Sequence, residues 1–255
     1  MRKAHSGVTL GPEQEARAGE GQKGMIPVGR PFLDHVLSGL ADAGYRRVCL
    51  VIGPEHHAVR DYYTGAGHPE RVTVEFAVQR HPLGTADAVL AAEAFSAGEP
   101  FLAVNADNLY PRHTLDALRA LAGPGLAGFR RSGLVRGALI PPERILAFAL
   151  IEVDADGYLT HIVEKPDPET ARSFGPDPLI SMNAWILPPS IFRSSRAIAP
   201  SRRSELELQD AVRHNMGQAG ERYRVLPFDD TVIDLSTQAD IPVVTKILRE
   251  REVRP

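Results

Sequence analysis

Residues 31–54 read PFLDHVLSGLADAGYRRVCLVIGP, and the class of fold follows from this segment. Pro31 suits the first position of a helix, the apolar residues after it recur with helical spacing, and Gly44 is placed to end that helix. The continuous apolar run at residues 48–52 comes next and is typical of a strand that is buried on both faces. A helix that leads into a buried strand predicts an α/β protein.

The first half of the chain continues this alternation. Further strands are predicted at residues 72–78 and 101–104, and further helices at residues 85–94 and 115–121. This order of elements predicts a mostly parallel, mixed sheet with helices on both faces.

The second half is richer in strand patterns. Two apolar runs, residues 148–153 and 158–163, flank a turn with the sequence DADG and predict a β-hairpin. Ser204 and Glu207 have the spacing of a capping box and predict a helix that runs to about Asn215. The remaining predicted elements are strands at residues 179–187, 225–228 and 231–235 and a helix at residues 241–250. We expect a single domain over residues 1–255, in which this half adds a β-rich portion to the first.

Composition and charge narrow the classes of function. The 255 residues carry a formal net charge of -3 and no basic stripe, which argues against a nucleic-acid partner. The N-terminal residues 1–7 have a charged start but no apolar stretch, so we expect neither a signal peptide nor a membrane partner. Cys49 is the single cysteine, which fits a cytoplasmic protein, and its apolar neighbours favour a buried side chain over a reactive thiol.

Two aspartates follow predicted strands. Asp107 comes just after the run at 101–104, and Asp234 stands at the end of a short apolar run. Ligands of open α/β sheets bind beyond the carboxyl ends of the strands, and Mg²⁺ is usually held by one or two carboxylates together with phosphate oxygens. Either residue alone could equally cap a helix or a turn.

Other candidates are a loop and two lysines. Lys165 follows Glu164 at a predicted strand end and suits a phosphate as a point charge, although a solvated surface pair is the ordinary alternative. Lys23 could equally face solvent. In the segment 79–88, QRHPLGTADA, Gly84 permits a close backbone approach before a helix N-terminus, and Gln79 carries both a donor and an acceptor that suit a base edge.

Five short motifs occur together in one order: KGMIPV at 23–28, LGTADA at 83–88, NAD at 105–107, EKP at 164–166 and IDLST at 233–237. In this order and approximate spacing they resemble the sugar-1-phosphate nucleotidyltransferases, which include glucose-1-phosphate thymidylyltransferases and UTP-glucose-1-phosphate uridylyltransferases. The resemblance covers residues from about 22 to the C-terminus. It implies a Rossmann-like fold with a nucleotide-binding half at about 1–122 and a sugar-phosphate-binding half at about 123–255.

The resemblance also implies a reaction and its cofactor. A sugar 1-phosphate would attack the α-phosphorus of a nucleoside triphosphate, giving an NDP-sugar and pyrophosphate. Asp107 and Asp234 would hold Mg²⁺. Lys23 would meet the nucleotide phosphates and Lys165 the sugar phosphate. No general base is required because the attacking phosphate is already an anion, so positioning and charge neutralisation would supply the catalysis.

The same resemblance assigns the binding of the substrates. Gln79 and the backbone at Gly84 would read the base, with Thr85 opening the helix that follows. Glu164 would bind sugar hydroxyls, and Asn183 falls where the family contacts the sugar. Members of the family often form dimers or tetramers, so a homo-oligomer stays open.

The chain departs from the family at its N-terminal motif. Members open with an apolar strand and a glycine-rich loop of the type Leu-Ala-x-Gly-x-Gly-Thr-Arg, whereas residues 1–12 here read MRKAHSGVTLGP. The glycine-rich segment 19–24 follows no predicted strand and lacks the Thr-Arg pair. Three interpretations stay open. The natural protein carries a segment between Ala4 and His5, the protein is a non-catalytic binding or regulatory relative, or residues 8–10 supply a short substitute strand.

Overall fold

The computed structural model of the protein describes residues 10–20, 22–137 and 140–255. Within these ranges the strands are β1 (Arg47–Ile52), β2 (Thr73–Val78), β3 (Phe101–Ala103), β4 (Asn108–Leu109), β5 (Gly125–Arg130), β6 (Ala149–Val153), β7 (Leu159–Glu164), β8 (Leu179–Leu187), β9 (Arg224–Phe228) and β10 (Ile233–Asp234).

Helices alternate with these strands along most of the chain. The α-helices are α1 (Pro12–Gly19), α2 (Phe32–Asp42), α3 (His57–Thr64), α4 (Thr85–Ala91), α5 (Glu93–Ser96), α6 (Arg112–Arg119), α7 (Arg131–Arg136), α8 (Pro168–Ser173), α9 (Ser190–Ala197), α10 (Leu208–Ala219) and α11 (Asp240–Leu248). Two 3₁₀ helices lie at Lys23–Met25 and Pro142–Ala147. No helix in the described ranges is long and apolar enough to cross a membrane.

Within the described residues the strands form three separate sheets. The largest has the order β7-β6-β8-β5-β9, with β3 beside β8, and only β5 and β9 run parallel within it. β1 and β2 form a separate parallel pair, and β4 and β10 form an antiparallel pair. The predicted α/β fold, a mixed sheet combined with helices, is confirmed.

Strand β8 lies in the middle of the large sheet, and it pairs with different strands before and after Asn183. Its first residues, 179–181, pair with β6, whereas residues 185–187 pair with β3. The register of β5 against β8 shifts over the same stretch, and Asn183 has a φ of 60°. Left-handed backbone of this kind is uncommon for a residue other than glycine, although asparagine tolerates it. The regular ladder of β8 is therefore interrupted at Asn183.

Helix α2 belongs to the interior. Phe32 to Ala41 are all buried, and the apolar side chains of this helix join one large core cluster. Asp34 lies within that cluster with its carboxylate accepting hydrogen bonds from the hydroxyls of Tyr62 at 2.8 Å and Tyr63 at 2.9 Å. The Arg30 guanidinium lies 2.9 Å from Asp34 Oδ2. The buried charge of Asp34 is therefore paired, as a charge away from water must be. A second core cluster forms around Trp185, α9 and α10.

Several predicted elements differ in the structure. The helix expected at 85–94 is two helices that meet at Ala92. The capping box is wrong, because Ser204 has a φ of 60° and α10 begins only at Leu208 with Glu207 as its N-cap residue. Strand β5 was not predicted at all. Of the proposed substitute strand, Val8 and Thr9 lie outside the described residues, and Leu10 belongs to no strand.

Candidate functional site

The first pair of predicted site residues meets across a long stretch of sequence. Lys23 opens the 3₁₀ helix at 23–25, and Asp107 lies in the turn between β3 and β4. The Lys23 ammonium donates to Asp107 Oδ2 at 2.6 Å. The Leu235 N–H donates to the Asp107 carbonyl at 2.9 Å and ties this turn to the segment after β10.

Asp234 stands next to this pair because β10 runs beside β4. Asp234 is opposite Asn108 in that ladder, and the Asn108 amide donates to Asp234 Oδ1 at 2.8 Å. The Ser236 hydroxyl donates to the same oxygen at 2.9 Å, and Arg144 donates to Oδ2 at 2.7 Å. The residue is 3% exposed, so these three donors replace water.

The charges of the two aspartates oppose each other. Burial, and after it the charge of Asp107, raise the pKa of Asp234 to about 6, although Arg144, Ser236 and Asn108 act to lower it. A carboxylate that repels its neighbour in this way favours a cation between the two. Among the described ranges, no group of three or more His, Cys, Asp or Glu side chains could hold a metal ion. The donor set fits Mg²⁺ only if phosphate oxygens complete the coordination, which is how proteins usually bind this ion.

Arg144 is a site residue that the sequence analysis missed. It lies in the second 3₁₀ helix, 90 residues before Asp234, and its side chain is 13% exposed. Besides Asp234 it contacts Asp240 at 2.8 Å and 3.1 Å, and the carboxylate of Asp240 also accepts from the Thr237 N–H at 2.6 Å. Arg144 therefore holds the IDLST motif and the start of α11 in place. No local pattern around residue 144 indicates this contact.

The loop at 79–88 is folded onto a neighbouring segment. Gln79 donates through Nε2 to the Gly84 carbonyl at 3.0 Å and to Asp87 at 2.9 Å, so its amide fixes the loop. Gly84 has a φ of 118°, and a Cβ there would lie 2.6 Å from the Leu206 carbonyl oxygen. The glycine is thus required by the close approach of the Leu206 backbone. Recognition of the nucleotide base by Gln79 and Gly84 stays a prediction.

The beginning of α10 connects three of the predicted residues. The Leu208 N–H donates to Thr85 Oγ1 at 2.9 Å, and Gln209 donates through Nε2 to Asn183 Oδ1 at 3.0 Å. Glu207 accepts from Arg203 at 2.5 Å, and Arg203 also lies 3.9 Å from Glu164. Sequence reasoning assigned this segment to a capping box and so missed Arg203, Glu207 and Gln209.

Glu164 and Lys165 form the other end of the site. Glu164 ends β7, and burial raises its pKa, against the effect of the neighbouring Lys165 charge. Lys165 has a φ of 46°, its N–H donates to the Phe148 carbonyl at 3.3 Å, and its ammonium lies 3.6 Å from Glu164. Positive φ at both Lys165 and Asn183 is unusual, and such strained residues cluster at ligand sites.

A cleft of about 810 Å³ lies between β1 and β3, and we call it the central cleft. Four predicted site residues line it: Lys23, Thr85, Asp107 and Asn183. The other five lie outside its lining: Gln79, Gly84, Glu164, Lys165 and Asp234. The predicted residues are therefore gathered in two connected groups, one around Asp107 and one around the start of α10.

Comparison with known proteins identifies the family of this chain. The model of the nucleotidyl transferase family matches residues 20–232. The chain belongs to the nucleotidyl transferase family. The family that the five motifs predicted, the sugar-1-phosphate nucleotidyltransferases, is confirmed. The matched range contains all the predicted site residues except Asp234.

Several relatives within the family are similar to the chain. The bifunctional protein GlmU of Methanococcus vannielii is 30% identical over 211 residues, or 82% of this chain and 45% of the relative. The low-salt glycan biosynthesis nucleotidyltransferase Agl11 of Haloferax volcanii is 26% identical over 193 residues, 75% of this chain and 50% of the relative. The chain thus spans about half the length of these relatives. A glucose-1-phosphate thymidylyltransferase of Actinoplanes sp. is 27% identical over 223 residues, 86% of this chain and 68% of the relative.

A solved nucleotidyltransferase supports the fold. A crystal structure of UDP-glucose pyrophosphorylase complexed with UDP-glucose has a TM-score of 0.72 at 18% identity, and covers 90% of this chain and 91% of that one.

Proposed function

We propose that this protein transfers a nucleoside monophosphate from a nucleoside triphosphate to a sugar 1-phosphate. The oxygen of the sugar phosphate forms a bond to the α-phosphorus, the bond to the β-phosphate breaks, and pyrophosphate leaves with the electron pair. The observation that carries this proposal is the match of residues 20–232 to the nucleotidyl transferase family, together with the Lys23, Asp107 and Asp234 cluster.

The two groups of site residues suit the two substrates. Lys23 has a side chain that is 29% exposed at the edge of the central cleft, where its ammonium can exchange the Asp107 carboxylate for a triphosphate oxygen. Lys165 has a side chain that is 40% exposed and suits the phosphate of the sugar. Glu164 and Asn183, held by Arg203 and Gln209, supply acceptors for sugar hydroxyls. The halves at about 1–122 and 123–255 would then bind nucleotide and sugar phosphate respectively.

The cofactor would be Mg²⁺ held by Asp107 and Asp234. When bound, the ion neutralises the charge that accumulates on the phosphate oxygens. Lys23 and Lys165 would orient those oxygens, and the hydrogen bonds from Arg144 and Asn108 hold the Asp234 carboxylate in place. We expect a cytoplasmic enzyme.

The test is product formation with a substrate panel. Purified protein is incubated with each nucleoside triphosphate, each of several sugar 1-phosphates, and either Mg²⁺ or EDTA, and both pyrophosphate and NDP-sugar are measured. We expect equal amounts of the two products for at least one pair, and none with EDTA. Measurable triphosphate binding without turnover for every pair would contradict the proposal and favour a binding protein.

Two variants test the role of the aspartates. Asp107→Asn and Asp234→Asn should each lower kcat by at least about 100-fold, because each removes a carboxylate that would hold the Mg²⁺ ion against the phosphate oxygens. Asp229→Asn is the matched control, since Asp229 pairs with Arg136 at the surface with a side chain that is 54% exposed. Circular dichroism checks that each variant is folded. Full activity in either site variant would refute the metal assignment.

A further inference from the structure

The ladder between β3 and β8 ends at the edge of the candidate site. Its last antiparallel pair is Ala103 with Trp185, and two further residues on each strand would place Asn105 opposite Asn183. Among the described residues this further pair is not formed. Asn105 instead begins the turn that carries Asp107, and Asn183 has a φ of 60°. The two strands therefore stop pairing where one leads to the proposed metal site and the other to the proposed sugar site.

The hydroxyl of Tyr110 connects the two segments at this point. Tyr110 follows β4 directly and is 2% exposed. Its hydroxyl donates to the Met182 carbonyl at 2.6 Å and lies 3.4 Å from the Asn183 carbonyl oxygen. The hydroxyl is also hydrogen-bonded to the backbone of Asn105. One side-chain group therefore takes the place of the backbone bonds that a continued ladder would make.

The surroundings of Tyr110 make this connection a permanent one. Burial, and after it the charge of Asp107, raise the pKa of Tyr110 well above its ordinary value. The hydroxyl therefore keeps its proton and remains a donor. The tyrosine ring stacks on Phe129 of β5, with the ring centroids 6.4 Å apart and the planes at 27°. This contact holds the ring, and with it the hydroxyl, in one direction.

On one side of the connection, the turn at residues 105–108 is tied to both aspartates. The turn contains Asp107 itself. The Asn105 amide donates to Asn108 Oδ1 at 3.2 Å, and the Asn108 amide donates to Asp234 Oδ1 at 2.8 Å. The turn and the two aspartates therefore form one connected unit.

On the other side, Asn183 is held by the beginning of α10. Its Oδ1 accepts a hydrogen bond from Gln209 Nε2 at 3.0 Å. The preceding residue, Leu208, donates through its N–H to Thr85 Oγ1 at 2.9 Å. The Tyr110 hydroxyl is therefore a direct link between this second group of site residues and the group around Asp107.

We propose that the hydroxyl of Tyr110 fixes the distance between the turn at 105–108 and Asn183, and thereby aligns the sugar phosphate with the α-phosphorus. This inference rests on the proposed function. Tyr110 acts through its neighbours and is a positioning residue. Attack requires the reacting atoms to lie about 3 to 3.5 Å apart, and a displacement of about 1 Å can lower the rate about 100-fold. Loss of the hydroxyl should therefore slow the chemical step and leave the binding of each substrate unchanged.

The variant that tests this role is Tyr110→Phe, and its matched control is Tyr223→Phe. Tyr223 is fully buried, and its hydroxyl donates to Asn215 Oδ1 at 2.7 Å. Both substitutions keep the ring and remove one buried hydroxyl, so the two Tm values should agree within about 3 °C. We expect kcat to fall by at least about 10-fold in Tyr110→Phe and by less than about 2-fold in the control.

Two further measurements separate positioning from binding and from general softening. The substrates are the triphosphate and the sugar 1-phosphate that give the highest rate in the panel with Mg²⁺. The dissociation constant of each, measured by calorimetry without the other, should change by less than about 2-fold in Tyr110→Phe. Hydrogen exchange of the backbone amides is measured without substrates. Exchange at residues 105–108 and at residues 182–185 should become at least about 5-fold faster in Tyr110→Phe, but not in Tyr223→Phe.

Four results would overturn the proposal. Unchanged kcat in Tyr110→Phe would show that the hydroxyl does not align the substrates. An equal loss of kcat in the control would attribute the effect to general softening, and weaker binding of a substrate with unchanged kcat would assign Tyr110 to binding. Unchanged exchange in either segment would show that the hydroxyl does not connect them. A wild-type protein without turnover refutes the proposed function, and the exchange measurement then still decides whether Tyr110 connects the two segments.

Discussion

Replacement of Arg144 by Met should destabilise the protein strongly. The arginine pairs with Asp234 and Asp240, whose side chains are 3% and 12% exposed, while its own side chain is 13% exposed. Met keeps most of the apolar volume but leaves two buried carboxylates without their cation. Removal of one partner from a buried ion pair costs about 3 to 5 kcal/mol, because the remaining charge is uncompensated.

The assay compares this variant with a surface pair of the same chemistry. Arg136 contacts both oxygens of Asp229, but the two side chains are 65% and 54% exposed, so Arg136→Met should cost less than about 1 kcal/mol. Urea denaturation gives the free energies of unfolding, and thermal melting should show Tm lower by roughly 10 °C for Arg144→Met. A difference between the two variants below about 1 kcal/mol would refute the reasoning. Addition of Asp234→Asn to Arg144→Met should restore part of the loss, since it removes one unpaired charge.

Two further predictions concern a backbone contact and a titration. Gly84→Ala should lower the free energy of unfolding by at least about 2 kcal/mol more than Gly98→Ala, because a Cβ at Gly84 meets the Leu206 backbone at 2.6 Å, whereas Gly98 has a φ of 82° and open space. Equal urea midpoints would contradict that contact. Burial and the charge of Asp107 raise the pKa of Asp234 from 3.8 to about 6, so the folded state binds this proton more tightly than the unfolded state. In EDTA, the free energy of unfolding should therefore fall as pH rises from about 4 to about 6, and this contribution should disappear in Asp234→Asn. An identical pH dependence of wild type and variant would show that the pKa is not raised.

Elements with one consistent pattern were predictable from the sequence. Helix α2, strand β2 and strand β8 each carry a single hydrophobic period, and their observed bounds lie within about two residues of the prediction, as is usual for element ends. Strand β5 was missed although it lies between β8 and β9. Its sequence, GLAGFR, contains Gly128, where a Cβ would lie 2.9 Å from the Val225 side chain. The close packing of the sheet requires a glycine at this position. Because glycine is disfavoured in strands, it interrupts the apolar pattern from which a strand would be predicted.

Only those residues of the candidate site that belong to a local sequence pattern were predictable. Asp107 and Asp234 were found because each follows an apolar strand, which is a local pattern. Arg144, Arg203 and Gln209 were not found, because their contacts depend on how segments far apart in sequence pack together. The same limit explains the capping box: Ser204 and Glu207 have the right spacing, but Glu207 is held by Arg203 and the helix begins after it.

The ion pairs around the two aspartates have a further consequence for binding. Lys23 pairs with Asp107 and Arg144 pairs with Asp234, so both acids are neutralised before any substrate arrives. Arg144 is fixed by Asp240 and cannot leave without exposing a second buried acid, whereas Lys23 has a partly exposed side chain and, among the described residues, pairs with the carboxylate of Asp107 alone. In the proposed reaction a triphosphate oxygen would replace Asp107 as the partner of Lys23, which would leave the Asp107 carboxylate available to a divalent cation. Each charge stays paired throughout this exchange, and the cost of burying an isolated charge does not arise. We infer that Lys23 is the exchangeable cation of the site and Arg144 the structural one.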